Sequence, residues 1–165
     1  MLLLLKNLVF TVLIPGTVAL YLPWIIAAEG PAPSEPIATL GRHGAIAPLA
    51  GGACIYSWCL WDFMRFGRGT PAPIDAPRRL VVRGLYRYVR NPMYLGVLMV
   101  ILGWAIYFVS ALLALYGLSI GLVFHLFVVV YEEPTLRRRF GLQYENYSSR
   151  TNRWVPGDGA KRPRA

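Results

Sequence analysis

Long apolar runs, separated by short segments rich in proline and arginine, dominate the sequence. A helix needs about 20 apolar residues to cross the ~30 Å hydrocarbon core of a bilayer. Four runs reach or approach that length, over residues 2–28, 44–64, 92–110 and 111–131. With 56% hydrophobic residues and a positive mean hydropathy, the chain is too apolar for a water-soluble domain. The pattern predicts an all-α integral membrane bundle of about four transmembrane helices, with residues 1–165 as one membrane domain.

The first run admits a second interpretation as a cleaved signal peptide. Against it, no basic residue precedes Leu2, and Ile26 stands where a cleavage site normally has a small residue. Lys6 can extend to the near interface, and Trp24 suits the far one. These features favour a retained membrane helix.

The segments between the runs differ in composition. Glu29–His43 is rich in proline and small or polar residues, which predicts an extended loop. Residues 65–90 contain seven arginines and three prolines and predict a second loop. Almost no polar residue separates the third run from the fourth, so we expect those two helices to form a tight hairpin.

The basic residues indicate how the chain is oriented. Seven lie in residues 65–90 and eight follow Tyr131, whereas Glu29–His43 holds one. Four spans place 16 of the 17 basic residues, including Lys6, on one side, which the positive-inside rule assigns to the cytoplasm. Both termini are therefore predicted to be cytoplasmic. Because the basic residues flank apolar runs, they indicate a membrane rather than a nucleic acid as the partner.

The third apolar run begins with features of a helix start. Asn91 is a favoured N-cap residue and Pro92 a favoured first helical residue. The free N–H groups of such a helix start would suit an anionic group. Gly96 and Gly103 share a face that would let a neighbouring helix approach closely. A capped helix that only packs, with nothing bound at its start, is the alternative.

One stripe of the fourth helix combines small residues with ionisable ones. Its members are Gly117, Gly121, His125, Val128 and Glu132. An ionisable group at membrane depth is a functional candidate, although a neutral His125 that only packs is the alternative. Glu132 and Glu133 oppose the helix dipole and repel each other, so a cation should compensate them. Either Arg137–Arg139 or a cationic ligand could do so.

The tail predicts a further helix at the membrane surface. The apolar stripe of that helix consists of Leu136, Phe140, Tyr144 and Tyr147. Gly141 interrupts the pattern and could break the helix. Residues 157–165 are predicted to be disordered. Cysteine and histidine do not cluster at metal-ligand spacing, so no metal site is expected.

Two motifs in this order resemble those of the isoprenylcysteine carboxyl methyltransferase and phospholipid methyltransferase superfamily. The first is residues 80–96, LVVRGLYRYVRNPMYLG. The second comprises Glu132-Glu133, Leu136, Phe140-Gly141, Tyr144, Tyr147 and the ending Arg153-Trp154-Val155-Pro156. The resemblance makes residues 71–156 a family-like methyltransferase core.

The resemblance implies an enzyme that uses S-adenosylmethionine to methylate a lipophilic acceptor, such as a lipid amine, thiol or carboxylate. Glu132 is similar to the active-site acid of the family. The residues that the resemblance assigns to cofactor binding are Arg79, Leu80, Val81, Tyr86, Asn91, Met93 and Tyr94. A sulfonium cation suits aromatic faces and a nearby carboxylate.

Two positions depart from the family pattern. Asn91 stands where the family commonly has histidine, and asparagine cannot act as a base near neutrality. Val128 stands where the prenylcysteine enzymes have an arginine, which could hold a substrate carboxylate. Methyl esterification is therefore less expected than methylation of another membrane-soluble nucleophile. An NADPH-dependent reductase of the sterol-reductase type and a non-catalytic helical membrane protein are the alternatives.

Overall fold

The computed structural model of the chain describes residues 2–30, 33–67 and 79–156. The expected disordered tail, 157–165, and the first part of the family-like core, 71–78, lie outside the described residues. Within those ranges every regular element is helical, apart from one isolated bridge between Val89 and Asn152. The prediction of an all-α protein is confirmed.

Seven α-helices account for most of the described chain. They are α1 (Leu2–Thr11), α2 (Leu22–Ala28), α3 (Glu35–Asp62), α4 (Pro92–Tyr107), α5 (Ala111–Phe127), α6 (Glu133–Phe140) and α7 (Leu142–Ser148). Wider π-helical turns join or extend them at Val12–Tyr21, Phe63–Gly67 and Val128–Glu132, and Gly84–Arg87 forms a 3₁₀ turn.

Three helical segments are long and apolar enough to cross a membrane. These are Leu5–Ala28, Glu35–Gly67 and Ala111–Phe140, and the shorter apolar helix α4 lies among them. The prediction of about four membrane helices is confirmed. The third of them is shorter than predicted, because α4 ends at Tyr107.

The prediction of an extended loop over Glu29–His43 is wrong in its second half. α3 already begins at Glu35, with Pro36 in its first turn, where a proline costs no helical hydrogen bond. The small residues that follow serve for packing rather than for a loop. At Gly41, an added Cβ would lie 2.6 Å from the carbonyl oxygen of Ile106, so α3 and the end of α4 are in close contact there.

Glycines bring α3 and α4 together along their length. A Cβ added at Gly52 would lie 2.6 Å from the carbonyl oxygen of Gly96, and one at Gly103 would lie 2.6 Å from Cγ of Leu49. Such close approach is how helices associate in a membrane, where no hydrophobic effect drives them together. The predicted packing face of Gly96 and Gly103 is confirmed, with α3 as the partner helix.

The predicted hairpin between α4 and α5 is also confirmed. Only three residues separate the two helices, and the Ser110 side chain caps α5 by accepting a hydrogen bond from the Leu113 amide at 3.3 Å. Gly117 of α5 lies against Ile101 of α4. The antiparallel hairpin places the start of α4 beside the end of α5.

The tail departs from the single surface helix that its stripe predicts. α6 continues the helical segment of α5, and Gly141, with φ 50°, ends it before α7. The change of direction turns Tyr144 inward, where it is buried in the protein rather than facing lipid. The tail therefore folds back toward the start of α4.

Candidate functional site

A cavity lies where the start of α4, the end of α5 and the folded-back tail meet. It is open to solvent, and it measures about 850 Å³ when the open space at its mouth is counted. Six of the eight residues assigned to the site by sequence line it: Leu80, Val81, Tyr86, Asn91, Tyr94 and Glu132. The other lining residues are Phe63, Arg90, Phe127, Val128, Tyr131, Glu133, Thr135, Leu136, Tyr144 and Tyr147.

Tyr94 and Glu132 are in direct contact across this cavity. The Tyr94 hydroxyl donates a hydrogen bond of 2.9 Å to Oε2 of Glu132. Tyr94 lies in the first turn of α4, and Glu132 closes the π-helical turn Val128–Glu132. An extra residue in a helical turn changes the direction of the side chains around it, and such turns are frequent at functional sites. The two helix ends thus meet in one cavity.

Glu133 has different surroundings from its neighbour. It is buried, and both of its oxygens accept hydrogen bonds from the Arg153 guanidinium, at 2.7 and 2.9 Å. Arg90 pairs with the same carboxylate at 3.1 Å. The two arginines that pair with Glu133 thus come from distant parts of the chain, whereas the nearby Arg137–Arg139 lie exposed on α6.

Neither arginine reaches the other glutamate. Among the described residues, the ion pairs of Arg90 and Arg153 are both made with Glu133, and the partner of Glu132 is the Tyr94 hydroxyl. Glu132 is therefore the carboxylate available to a cationic ligand in the cavity.

Asn91 precedes α4 as predicted, but its side chain does not cap the helix. Its ψ of 52° departs from the extended conformation of a capping residue, and no cap hydrogen bond forms. The amide instead donates to the carbonyl oxygen of Arg153 at 3.2 Å. The expected capping role is wrong, and the first N–H groups of α4 have no side-chain cap.

The tail completes the wall of the cavity. The Tyr147 hydroxyl donates to the carbonyl oxygen of Tyr86 at 2.7 Å, and the Arg90 amide donates to the carbonyl oxygen of Asn152 at 2.9 Å. Burial raises the pKa of both Tyr86 and Tyr147, so both rings stay neutral. The bond to Glu133 raises the pKa of Arg153 and keeps that side chain charged.

Arg79 and Met93 do not line the cavity. Met93 is buried beneath it, in a cluster with Cys59, Val81 and Tyr86, and Arg79 is exposed at the edge of the described chain. Their assignment to cofactor binding stays a prediction. The sequence did not predict that Arg90, Tyr144 or Arg153 would belong to the site. The second motif contains Tyr144 and Arg153, but their contacts depend on the turn of the chain at Gly141.

His125 is hydrogen-bonded within the protein. Its Nδ1 accepts the indole N–H of Trp154 at 3.0 Å, which places the ring proton of the neutral imidazole on Nε2. The contact matches the alternative of a neutral, hydrogen-bonded histidine. It also joins the last turn of α5 to the tail.

The lining of the cavity fits S-adenosylmethionine on several observations. The Glu132 carboxylate, with no cation paired to it among the described residues, suits a sulfonium, as do the faces of the aromatic residues around it. The start of α4 offers uncapped N–H groups to a carboxylate. Nε of Arg90 is buried without a hydrogen-bond partner among the described residues, so this guanidinium also retains a free donor.

Comparison with known proteins identifies the family. A family model described as phospholipid methyltransferase matches residues 42–143, more than half of the chain, including most of α3 and all of α4, α5 and α6. No curated protein and no solved structure matched the chain. The chain belongs to the phospholipid methyltransferase family and is a multi-pass membrane methyltransferase that uses S-adenosylmethionine as its methyl donor.

Proposed function

We propose that this enzyme methylates the amine of a phospholipid headgroup in the cavity between the start of α4 and Glu132. The observation that carries the proposal is the contact of Tyr94 with Glu132 inside a largely apolar and aromatic lining. Such an amine is an ammonium ion near neutral pH and must lose a proton before its nitrogen can attack a methyl group, and in this proposal Glu132 accepts that proton. The family description also names phospholipids.

When bound, S-adenosylmethionine supplies an electrophilic methyl group on a sulfonium, whose methyl–sulfur bond breaks in the transfer so that the neutral thioether S-adenosylhomocysteine leaves. The contribution of the protein is then to orient the acceptor and to keep water out. Tyr94 holds Oε2 of Glu132, which leaves Oε1 for the ammonium of the headgroup. Glu132 takes one proton from that ammonium, and the freed nitrogen lone pair is the nucleophile.

The proposed cofactor-binding residues surround this point. Leu80 and Val81 form an apolar wall suited to the adenine ring, with Tyr86 below them. Asn91 and the uncapped start of α4 face the cofactor carboxylate. Arg79 and Met93 belong to the same proposed set, Met93 as the packing support of Val81 and Tyr86.

Position 128 favours an amine over a carboxylate acceptor. Val128 lines the cavity four residues before Glu132, and valine cannot bind a carboxylate. A phospholipid amine needs an anionic partner instead, and Glu132 provides one. The acceptor would enter from the bilayer with its headgroup at the cytoplasmic interface, and both termini lie on that side in this proposal.

The test uses purified protein with methyl-labelled S-adenosylmethionine and phospholipid vesicles. We expect label in the lipid fraction when the vesicles contain phosphatidylethanolamine and none when phosphatidylglycerol replaces it. Transfer to a prenylcysteine carboxylate instead, or to neither phospholipid, would contradict the amine proposal.

A ligand-protection experiment addresses the reductase alternative. S-adenosylhomocysteine should raise the thermal unfolding midpoint of the protein, because a ligand that binds only the folded state stabilises it. NADPH should leave the midpoint unchanged. The reverse pattern would favour a reductase, and no response to either would favour a non-catalytic protein.

A further inference from the structure

Trp154 lies in the tail, beyond the residues that match the family model, and contacts both α4 and α5. The match ends at residue 143, whereas Trp154 lies eleven residues further on. The indole of Trp154 contacts the Tyr94 ring edge-on, with centroids 6.4 Å apart and planes at 63°. The same indole donates its N–H to His125 Nδ1 at 3.0 Å. Trp154 therefore connects Tyr94, at the start of α4, with the last turn of α5.

The position of Tyr94 depends on aromatic neighbours on two sides. Phe124 packs against its ring with centroids 4.7 Å apart, and Trp154 approaches from the tail. A tyrosine side chain has only two rotatable bonds before its hydroxyl, so contacts that fix the ring also fix the hydroxyl. That hydroxyl is the donor to Glu132.

Trp154 itself is anchored through the residue before it. The Arg153 guanidinium binds both oxygens of Glu133. The backbone carbonyl oxygen of Arg153 accepts a hydrogen bond of 3.2 Å from the side-chain amide of Asn91. These bonds fix the backbone leading to Trp154 but not the orientation of the indole. Within the described chain, the hydrogen bond to His125 is the polar contact of the indole that fixes this orientation.

We infer that Trp154 and His125 are positioning residues for the methyl transfer. Their hydrogen bond orients the indole, the indole confines the Tyr94 ring, and Tyr94 holds Glu132 in the orientation that accepts the proton. The inference rests on the proposed role of Glu132. It assigns His125 a function that depends on hydrogen-bond acceptance rather than on charge.

The test compares Trp154→Phe, His125→Leu and His125→Asn for turnover and for S-adenosylhomocysteine binding. Phenylalanine removes the donor and leucine the acceptor, so each should lower kcat about tenfold, the effect of one lost hydrogen bond. The Asn side-chain oxygen lies two bonds from Cβ, as Nδ1 of histidine does, and can still accept the indole N–H, so His125→Asn should retain at least about a third of wild-type kcat. Binding of S-adenosylhomocysteine should change less than about threefold in all three variants.

A double variant separates a shared contact from two independent ones. Trp154→Phe with His125→Leu should lose no more activity than either single change, because both remove the same hydrogen bond. Trp61→Phe, an exposed tryptophan on α3, is the matched control and should keep wild-type kcat. Where Trp154→Phe does not fold, the comparison of His125→Leu with His125→Asn decides the test.

Three outcomes overturn the inference: full activity of His125→Leu, equal impairment of the Asn and Leu variants at position 125, or additive loss in the double variant. Each of these requires an active wild-type enzyme. An inactive wild type would instead contradict the proposed function, so the two failures are distinguishable.

Discussion

At the scale of single residues, two adjacent glutamates occupy different environments. Glu133 is buried in a pair of ionic contacts with Arg90 and Arg153, so its charge is used to join the tail to the start of α4. Glu132 has a tyrosine hydroxyl as its neighbour and faces the cavity. Removing one partner of a buried ion pair leaves an uncompensated charge, so the role of Glu133 is to stabilise the fold. Glu132 is the candidate for chemistry.

This difference predicts the effect of Glu132→Gln. Glutamine keeps the size of the side chain and can still accept a hydrogen bond from Tyr94, but it cannot accept a proton. We expect kcat to fall about 100-fold or more, the usual contribution of a general base. The affinity for S-adenosylhomocysteine, measured by calorimetry, should change less than about threefold.

Glu145→Gln is the matched control for this change. Glu145 is exposed on α7 and should tolerate the substitution with wild-type kcat. Equal loss of cofactor binding and turnover in Glu132→Gln would show that the carboxylate only holds the cofactor or the fold.

At the scale of helices, the position of α4 depends on its close contact with α3. The contact is made through backbone atoms at Gly52 and Gly96, so neither helix has a flexible side chain that could yield there. α4 carries Asn91 and Tyr94 at its start. A displacement of α4 would therefore move both residues relative to Glu132 on the next helix.

Gly52→Ala should consequently destabilise the protein. The added methyl would lie 2.6 Å from the Gly96 carbonyl oxygen and 2.9 Å from the Val100 amide nitrogen, which forces the helices apart. We expect a loss of about 1–3 kcal/mol in the free energy of unfolding, typical of overpacking, visible as a lower thermal midpoint in detergent.

Gly121→Ala is the control for this prediction. Its added methyl would meet the Leu98 methyl groups at 3.8 Å, an ordinary contact, and alanine has the higher helix propensity. The thermal midpoint of this variant should equal or exceed that of the wild type. If Gly52→Ala were as stable as Gly121→Ala, the contact between α3 and α4 would not be as close as described.

At the scale of the whole molecule, the cavity lies at one end of the helical bundle. The start of α4, the end of α5 and the tail all meet there, and the described segments at that end hold most of the basic residues of the chain. From the positive-inside rule we expect the cavity to lie at the cytoplasmic surface. A cofactor made in the cytoplasm and a lipid acceptor from the bilayer could both reach it.

The orientation can be tested with reporter fusions. Alkaline phosphatase fused at the C-terminus should be inactive in bacterial cells, whereas the same enzyme fused after Val109, in the turn between α4 and α5, should be active. An active C-terminal fusion would reverse the proposed topology and place the cavity on the wrong side for its cofactor.

The sequence by itself determined the helical class, the approximate number of spans, the hairpin of α4 and α5 and the packing face of Gly96 and Gly103. These properties depend on local composition, because hydrocarbon requires every backbone polar group to be bonded within its own helix. Tyr94 was identified only through the resemblance to the family motif, whereas Glu132 was also recognisable as a carboxylate at the end of an apolar helix.

Only the tertiary structure decided which of these residues meet. The pairing of Glu133 with Arg90 and Arg153, the use of Asn91 to hold the tail, and the contact of Trp154 with His125 join positions 20 to 62 residues apart. Such contacts depend on the π-helical turn before Glu133 and on the change of direction at Gly141, where φ is 50°. A pattern with a fixed helical period shows that Gly141 interrupts it, but it predicts neither the direction of the chain after Gly141 nor the π-helical turn, because both depart from the period itself.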